Sequence, residues 1–175
     1  MSVLDHKIDF AAIISVTKAN PNGDPLNGNR PRQNYDGKGE MSDVCIKRKI
    51  RNRLQDMGDS IFVQSQDRTD DGFQSLRDRA DSNETLKKAL VDKKSKITSD
   101  EFASVACSEW TDVRSFGQVF AFKGSELSVG VRGPVSIQTA VSVDPVDVTS
   151  MQITKSVNST TSDTKGSDTM GMKHF

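Results

Sequence analysis

Apolar side chains alternate with polar ones over residues 7–18, where Ile8, Phe10, Ala12, Ile14 and Val16 fall on one face and Ala11 and Ile13 make the other partly apolar. A segment that is apolar on both sides predicts a central strand. The period is lost over residues 20–34, which carry Gly23, Gly28 and Pro31 and the dipeptides Asn22-Gly23 and Asn27-Gly28, the chemistry of tight turns. It resumes with a helical spacing. Ser42 or Asp43 can cap a helix running to about Met57, because Ile46, Ile50, Leu54 and Met57 share one face, and Gly58 then stops it. On that projection Arg48, Lys49 and Arg51 point away from the apolar stripe, while Lys47 and Arg53 flank it with long stems.

Residues 60–64 read as a short strand. Residues 66–96 are highly charged, with a weak helical period around Leu76, Leu86, Leu90 and Val91, and read as helical and peripheral. Thr98 and Glu101 have the spacing of a capping box, and Phe102, Val105 and Ala106 give the helix that follows a buried side up to about Trp110. Residues 129–143 alternate cleanly, with Val135, Ile137, Thr139, Val141 and Val143 on one side, and predict a half-buried strand that Asp144-Pro145 interrupts. Residues 146–157, with Met151, Ile153 and Lys155, read as an extended arm or hairpin. Residues 158–169 are almost entirely Ser, Thr, Asp, Gly and Lys, which predicts mobility unless a partner orders them.

A length of 175 residues suits one compact core. The 34% hydrophobic content and mean hydropathy of -0.55 make that core modest, with long polar excursions. Net charge is zero, so a polyanion-binding surface has to be local. It is found between Arg30 and Arg53, where eight Lys/Arg stand against Asp36, Glu40 and Asp43. Polyanions, above all nucleic acid, fit that stretch. Holding single-stranded RNA by its backbone needs cations at phosphate spacing and N–H groups that can come close, which Gly-rich turns permit. Two cysteines, Cys45 and Cys107, are too few for a disulfide framework, and no apolar run suggests a signal or membrane segment; the expected location is the cytoplasm. His6 and His174 lack metal-ligand spacing and no nucleophile–base motif occurs, so no catalytic residue, metal or cofactor is assigned.

Elsewhere the residues leave alternatives. Arg114 reads as a phosphate ligand or as the ion-pair partner of Asp112, and Phe116, in a turn, as a base-stacking ring or part of the core. Arg132, between Gly130 and Gly133, is a candidate RNA contact or marks the start of a strand. Met151 suits a wedge between bases or packing on a neighbouring subunit. Lys155 and Lys173 are candidate phosphate contacts.

Three stretches together resemble a known family. They are Asn20-Pro21-Asn22-Gly23-Asp24-Pro25, leading through Arg30-Pro31-Arg32 to the run from Asp43 to Arg51; the run from Asp112 through Arg114, Phe116 and Gln118 to Phe120; and the run from Gly130 through Arg132, Pro145 and Lys155 to Asn158. Their order and spacing are similar to the backbone subunit of type I-C CRISPR Cascade complexes, of the Csd/Csh type in the RAMP superfamily. The resemblance implies an α+β, modified RRM (ferredoxin-like) fold over 1–175, with a helical insertion at 66–110, a thumb-like arm at 143–158 and a flexible tail at 159–175. It implies a non-enzymatic subunit that coats the spacer of a CRISPR RNA (crRNA) as a filament, with target DNA recognised through the guide. Partners would be copies of itself and other Cascade subunits, with no membrane. The RNA-binding residues carried over are Asn20, Asn22, Gly23, Arg30, Arg32, Lys47, Arg48, Lys49, Arg51, Arg114, Phe116, Gln118, Arg132, Met151, Lys155 and Lys173. Family members continue beyond Phe175, so a truncated product lacking later strands is expected. Two alternatives are a metal-dependent RNA endonuclease using Asp24, which reads more simply as a turn former, and a truncated regulatory fragment.

Overall fold

A computed structural model of the chain describes residues 4–92, 95–125, 127–155 and 169–175. The fold is α+β. In chain order the strands and helices are β1 (Gly23–Asp24), β2 (Arg30–Pro31), β3 (Lys38–Met41), α1 (Asp43–Asp56), α2 (Leu76–Asp81), α3 (Glu84–Val91), α4 (Ser99–Glu109), α5 (Thr111–Phe116), β4 (Gly117–Phe120), β5 (Val129–Arg132), β6 (Ala140–Pro145), β7 (Ser150–Thr154) and β8 (Thr169–His174). They divide into two compact units, Ser42–Thr139 and Met1–Met41 with Ala140–Phe175.

The unit Ser42–Thr139 is built on an aromatic cluster. The Phe62 ring lies 4.6 Å from Trp110 and 5.0 Å from Phe120, and Phe102 meets Phe120 edge-on at 5.1 Å. Leu86, Leu90 and Val113 complete this fully buried centre. The charged stretch is therefore not peripheral throughout: α3 buries Leu86, Ala89 and Leu90 on one face and leaves Lys87 and Lys88 outside. The capping box before α4 forms in both directions, Glu101 N–H to Thr98 Oγ1 at 3.2 Å and Thr98 N–H to Glu101 Oε2 at 2.8 Å. Ser42 caps α1 through the Cys45 N–H, and Gly58, at φ 91°, follows its end.

Residues 60–64 form no strand. Their backbone groups are satisfied by side chains, because Asp112 accepts from the Phe62 and Val63 N–H groups, Arg79 donates to the Phe62 carbonyl and Arg48 to the Val63 carbonyl. The alternation over 129–143 also misleads: it breaks into β5, paired antiparallel with β4, and β6, paired with β3 in the other unit. The break follows from Gly133-Pro134. A Cβ on Gly133 would lie 2.2 Å from the Ser115 carbonyl oxygen, and the chain turns there to donate Val135 N–H to that same oxygen at 2.9 Å. Proline has no N–H with which to continue a ladder.

In the other unit, β1 and β2 make a short hairpin around a 3₁₀ turn at Pro25–Asn27, with Gly28 and Asn29 both at φ 58°. β7 and β8 form a longer two-stranded ribbon, with Met151 opposite Lys173 and Gln152 opposite Met172. β8 thus lies inside the stretch expected to be a flexible tail, and the mobility expected of 158–168 falls outside the described residues. Among the described residues the strands form four separate two-stranded pairs. Residues 7–18 are not a strand: Phe10 is 68% and Ile13 98% exposed, and no described segment pairs with them. A strand exists only where a neighbour takes its backbone hydrogen bonds.

Candidate nucleic-acid interface

α1 carries the basic cluster, and its cations divide into two sets. Arg51 is mostly buried, with 13% of its side chain exposed; its Nε donates to Asp112 Oδ2 at 2.8 Å and its guanidinium lies 5.1 Å from the centre of the Phe116 ring. Asp112 is fully buried and also accepts from Phe62 N–H at 2.7 Å and Val63 N–H at 3.1 Å. Arg48 is half-buried and donates through Nη1 to the Val63 carbonyl at 2.6 Å, while its Nε and Nη2 are buried without a partner among the described residues. Burial, followed by the nearby charge of Arg51, lowers its pKa from the usual arginine value. Lys47 pairs with Asp43 one turn back at 3.1 Å, and that hydrogen bond holds the Asp43 carboxyl below its ordinary value.

Arg48 and Arg51 therefore do not point away from the packed side of α1. The helical projection tracked only the apolar stripe, whereas the buried Asp112 carboxylate recruits a second, polar face. Lys49 and Arg53, one turn apart, are the exposed cations of the helix. Arg114 is exposed and does not pair with Asp112, since Arg51 occupies that carboxylate. Phe116 sits in the last turn of α5, not in a turn, half-buried beneath Arg51. Gln118, on β4, donates to the Val119 carbonyl at 3.1 Å, and Arg132 is exposed at the end of β5 opposite Gly117.

In the unit Met1–Met41 with Ala140–Phe175, Asn20 and Gly23 build the β1–β2 hairpin. Asn20 donates to the Asn29 carbonyl at 2.7 Å, and a Cβ on Gly23 would lie 1.9 Å from Asn29 Oδ1. The space beside Gly23 is thus filled from within the hairpin. Asn22 is half-buried and donates to the Gly23 carbonyl at 3.2 Å. Asp24 accepts from Leu26 N–H at 3.1 Å as the cap of the 3₁₀ turn, and no group of His, Cys, Asp or Glu among the described residues is arranged to hold a metal. Arg30 reaches β7: its Nη2 donates to Ser150 Oγ at 2.7 Å, which also meets His174 Nδ1 at 2.8 Å. Arg32 is exposed.

The ribbon of β7 and β8 keeps apolar side chains in solvent on both faces. Met151 and Ile153 are 52% and 43% exposed on one, and Met172 is 55% exposed on the other. Lys173 is exposed with its Nζ 5.5 Å from the centre of the Phe175 ring, and Lys155, past the end of β7, is half-buried. Sequence reasoning missed the second strand of this ribbon, although Met170, Met172 and His174 alternate with Thr169, Gly171 and Lys173. It also missed Arg79, 4% exposed, which grips Asp71 with Nη2 2.9 Å from Oδ1 and draws its pKa down.

Residues 6–175 match the family model for CRISPR-associated protein Cas7. The chain is also similar to a CRISPR-associated protein Cas7 of Haloferax volcanii, with 32% identity over 129 residues, covering 69% of this chain and 34% of that protein. It spans about a third of the length of that relative. No helix among the described residues is long and apolar enough to cross a membrane.

Proposed function

The chain belongs to the CRISPR-associated Cas7 family, and from that premise we propose that it is a non-enzymatic backbone subunit of the type I-C, Csd/Csh kind, which lines the spacer of a crRNA in the cytoplasm. Copies of the chain associate along the guide and join other Cascade subunits, and target DNA is read by base pairing to the RNA. In this reading the fold is a modified RRM.

The observation that carries the reading is the β7–β8 ribbon, a two-stranded arm with Met151, Ile153 and Met172 in solvent. A ribbon that buries neither face contributes little to its own fold; its apolar side chains suit a partner, and unstacked bases accept such wedges. Arg114, Arg132, Lys155 and Lys173 are further phosphate candidates under this proposal. On α1 the reading places the electrostatic grip on Lys49 and Arg53, with Lys47 beside them, and leaves Arg48 and Arg51 as the residues that seat the helix.

The test is the salt dependence of single-stranded RNA binding. Reversing both exposed charges, K49E with R53E, removes two phosphate contacts and flattens the slope of log K against log salt by about 1.4. An unchanged slope removes α1 from the interface.

A further inference from the structure

Tyr35 is the chain's one tyrosine, and it stands wholly in solvent at 110% relative exposure. Its backbone is pinned. Asn34 Oδ1 accepts from the N–H groups of Asp36 and Lys38 at 3.0 and 2.9 Å, and the Asn34 N–H and carbonyl bond to Lys38 and Gly37. Gly37, at φ 74°, accepts on its carbonyl from Val146 N–H and from Gln33 Nε2, which also donates to the Val146 carbonyl at 2.6 Å. A turn held this firmly fixes where the ring is presented, so that only the side-chain rotamers remain to be ordered when something stacks on it.

We propose that Tyr35 is a stacking platform for an unpaired base of single-stranded RNA, an inference that rests on the function proposed above and adds a residue to it. The ring adds nothing to the core, so its position is not explained by packing. From Arg30 to Lys38 the sequence carries three cations, one of them bonded to Ser150, and one acid, Asp36, a local excess of positive charge that favours a polyanion on this segment. A protein hot spot would instead sit within a rim of residues that exclude water, whereas the residues that flank Tyr35 in the turn are the polar Gln33, Asn34 and Asp36 and the bare Gly37. Base–aromatic stacking tolerates any sequence and does not release counterions.

The experiment labels the full chain with 3-fluorotyrosine, giving one ¹⁹F resonance, and titrates it with a single-stranded RNA oligonucleotide alongside Y35F and Y35A. The expected result is a shifted resonance on binding, near-native affinity for Y35F, and a loss of roughly 5- to 150-fold for Y35A with the salt slope unchanged. A resonance that RNA leaves in place, with Y35A binding RNA as tightly as the wild type, overturns the stacking role and leaves the RNA-binding reading intact. The same result together with failure of Y35A to join other Cascade subunits overturns it in favour of a protein contact. A flattened salt slope for Y35A also overturns it. If the wild-type chain binds no RNA at low salt, the underlying function fails, and this inference with it.

Discussion

Asp112→Asn changes one atom in a fully buried carboxylate that accepts three hydrogen bonds, and its cost can be worked from the contacts. Oδ1 serves the Phe62 N–H; Oδ2 serves the Val63 N–H and Arg51 Nε. Asparagine has one acceptor oxygen and an amide that donates. In its better orientation the oxygen keeps Val63 and Arg51, and the amide points its hydrogens at the Phe62 N–H. That leaves a buried donor unpaired and removes the charge that balances Arg51. An orphaned buried N–H costs about 1–3 kcal/mol, and breaking a buried ion pair about 3–5 kcal/mol in all. Against a total stability of about 5–15 kcal/mol this is severe. With a urea m-value of about 2 kcal/mol/M the midpoint should fall by roughly 1.5–2.5 M. Urea unfolding followed by Trp110 fluorescence reports it, since that side chain lies in the same core. A midpoint that stays put with the same m-value would refute the idea that Asp112 seats α1 through Arg51.

Acid should act through Asp71 and Glu101. The first is held low by Arg79 and the second by the Thr98 N–H, so their folded pKa values lie below 3.8 and 4.5. Their stabilisation is complete above those values and is lost as pH falls through the folded ones; the urea midpoint should hold down to about pH 5 and then drop, less steeply for D71N. G133A places a Cβ 2.2 Å from one backbone oxygen and 2.4 Å from a backbone nitrogen, and should destabilise by at least about 1–3 kcal/mol. Its control, G130A, meets nothing among the described residues within 4 Å and should stay within about 0.5 kcal/mol of the wild type in the same urea titration.

What the sequence discloses is what local chemistry decides. The Ser42 cap, the Gly58 stop, the Thr98–Glu101 capping box and the turn at Asn27-Gly28 each depend on residues a few positions apart, and each is found where the pattern places it, whereas Asn22-Gly23 leads into β1. Long-range pairing is where reading along the chain fails. Nothing near Asp112 announces that Arg51, sixty-one positions earlier, will neutralise it, so α1 looked like a helix with a free basic face. The segment at 60–64 has strand-forming residues, but side chains from three helices claim its backbone. Charge also conceals a core: within α3, Lys87 and Lys88 stand between Leu86 and Leu90, and a short helix shows its apolar period too weakly to reveal that Leu86 and Leu90 are fully buried while Val91 is exposed. On α1 the outward position of Lys49 was legible, as was an extended segment where β7 lies, whereas Arg53, read as flanking the apolar stripe, is exposed. The packed role of Arg48 and Arg51, the internal filling beside Gly23 and the arm's second strand were not.

The central claim, that copies of this chain line a single-stranded guide, is tested most directly by counting chains on RNA of increasing length. Purified 19.2 kDa chain is mixed with oligonucleotides of graded length, and the mass of each complex is measured by native mass spectrometry. The account predicts that copy number climbs in regular steps as the RNA lengthens. A complex that stays at one chain whatever the length, or no complex at low salt, would contradict it.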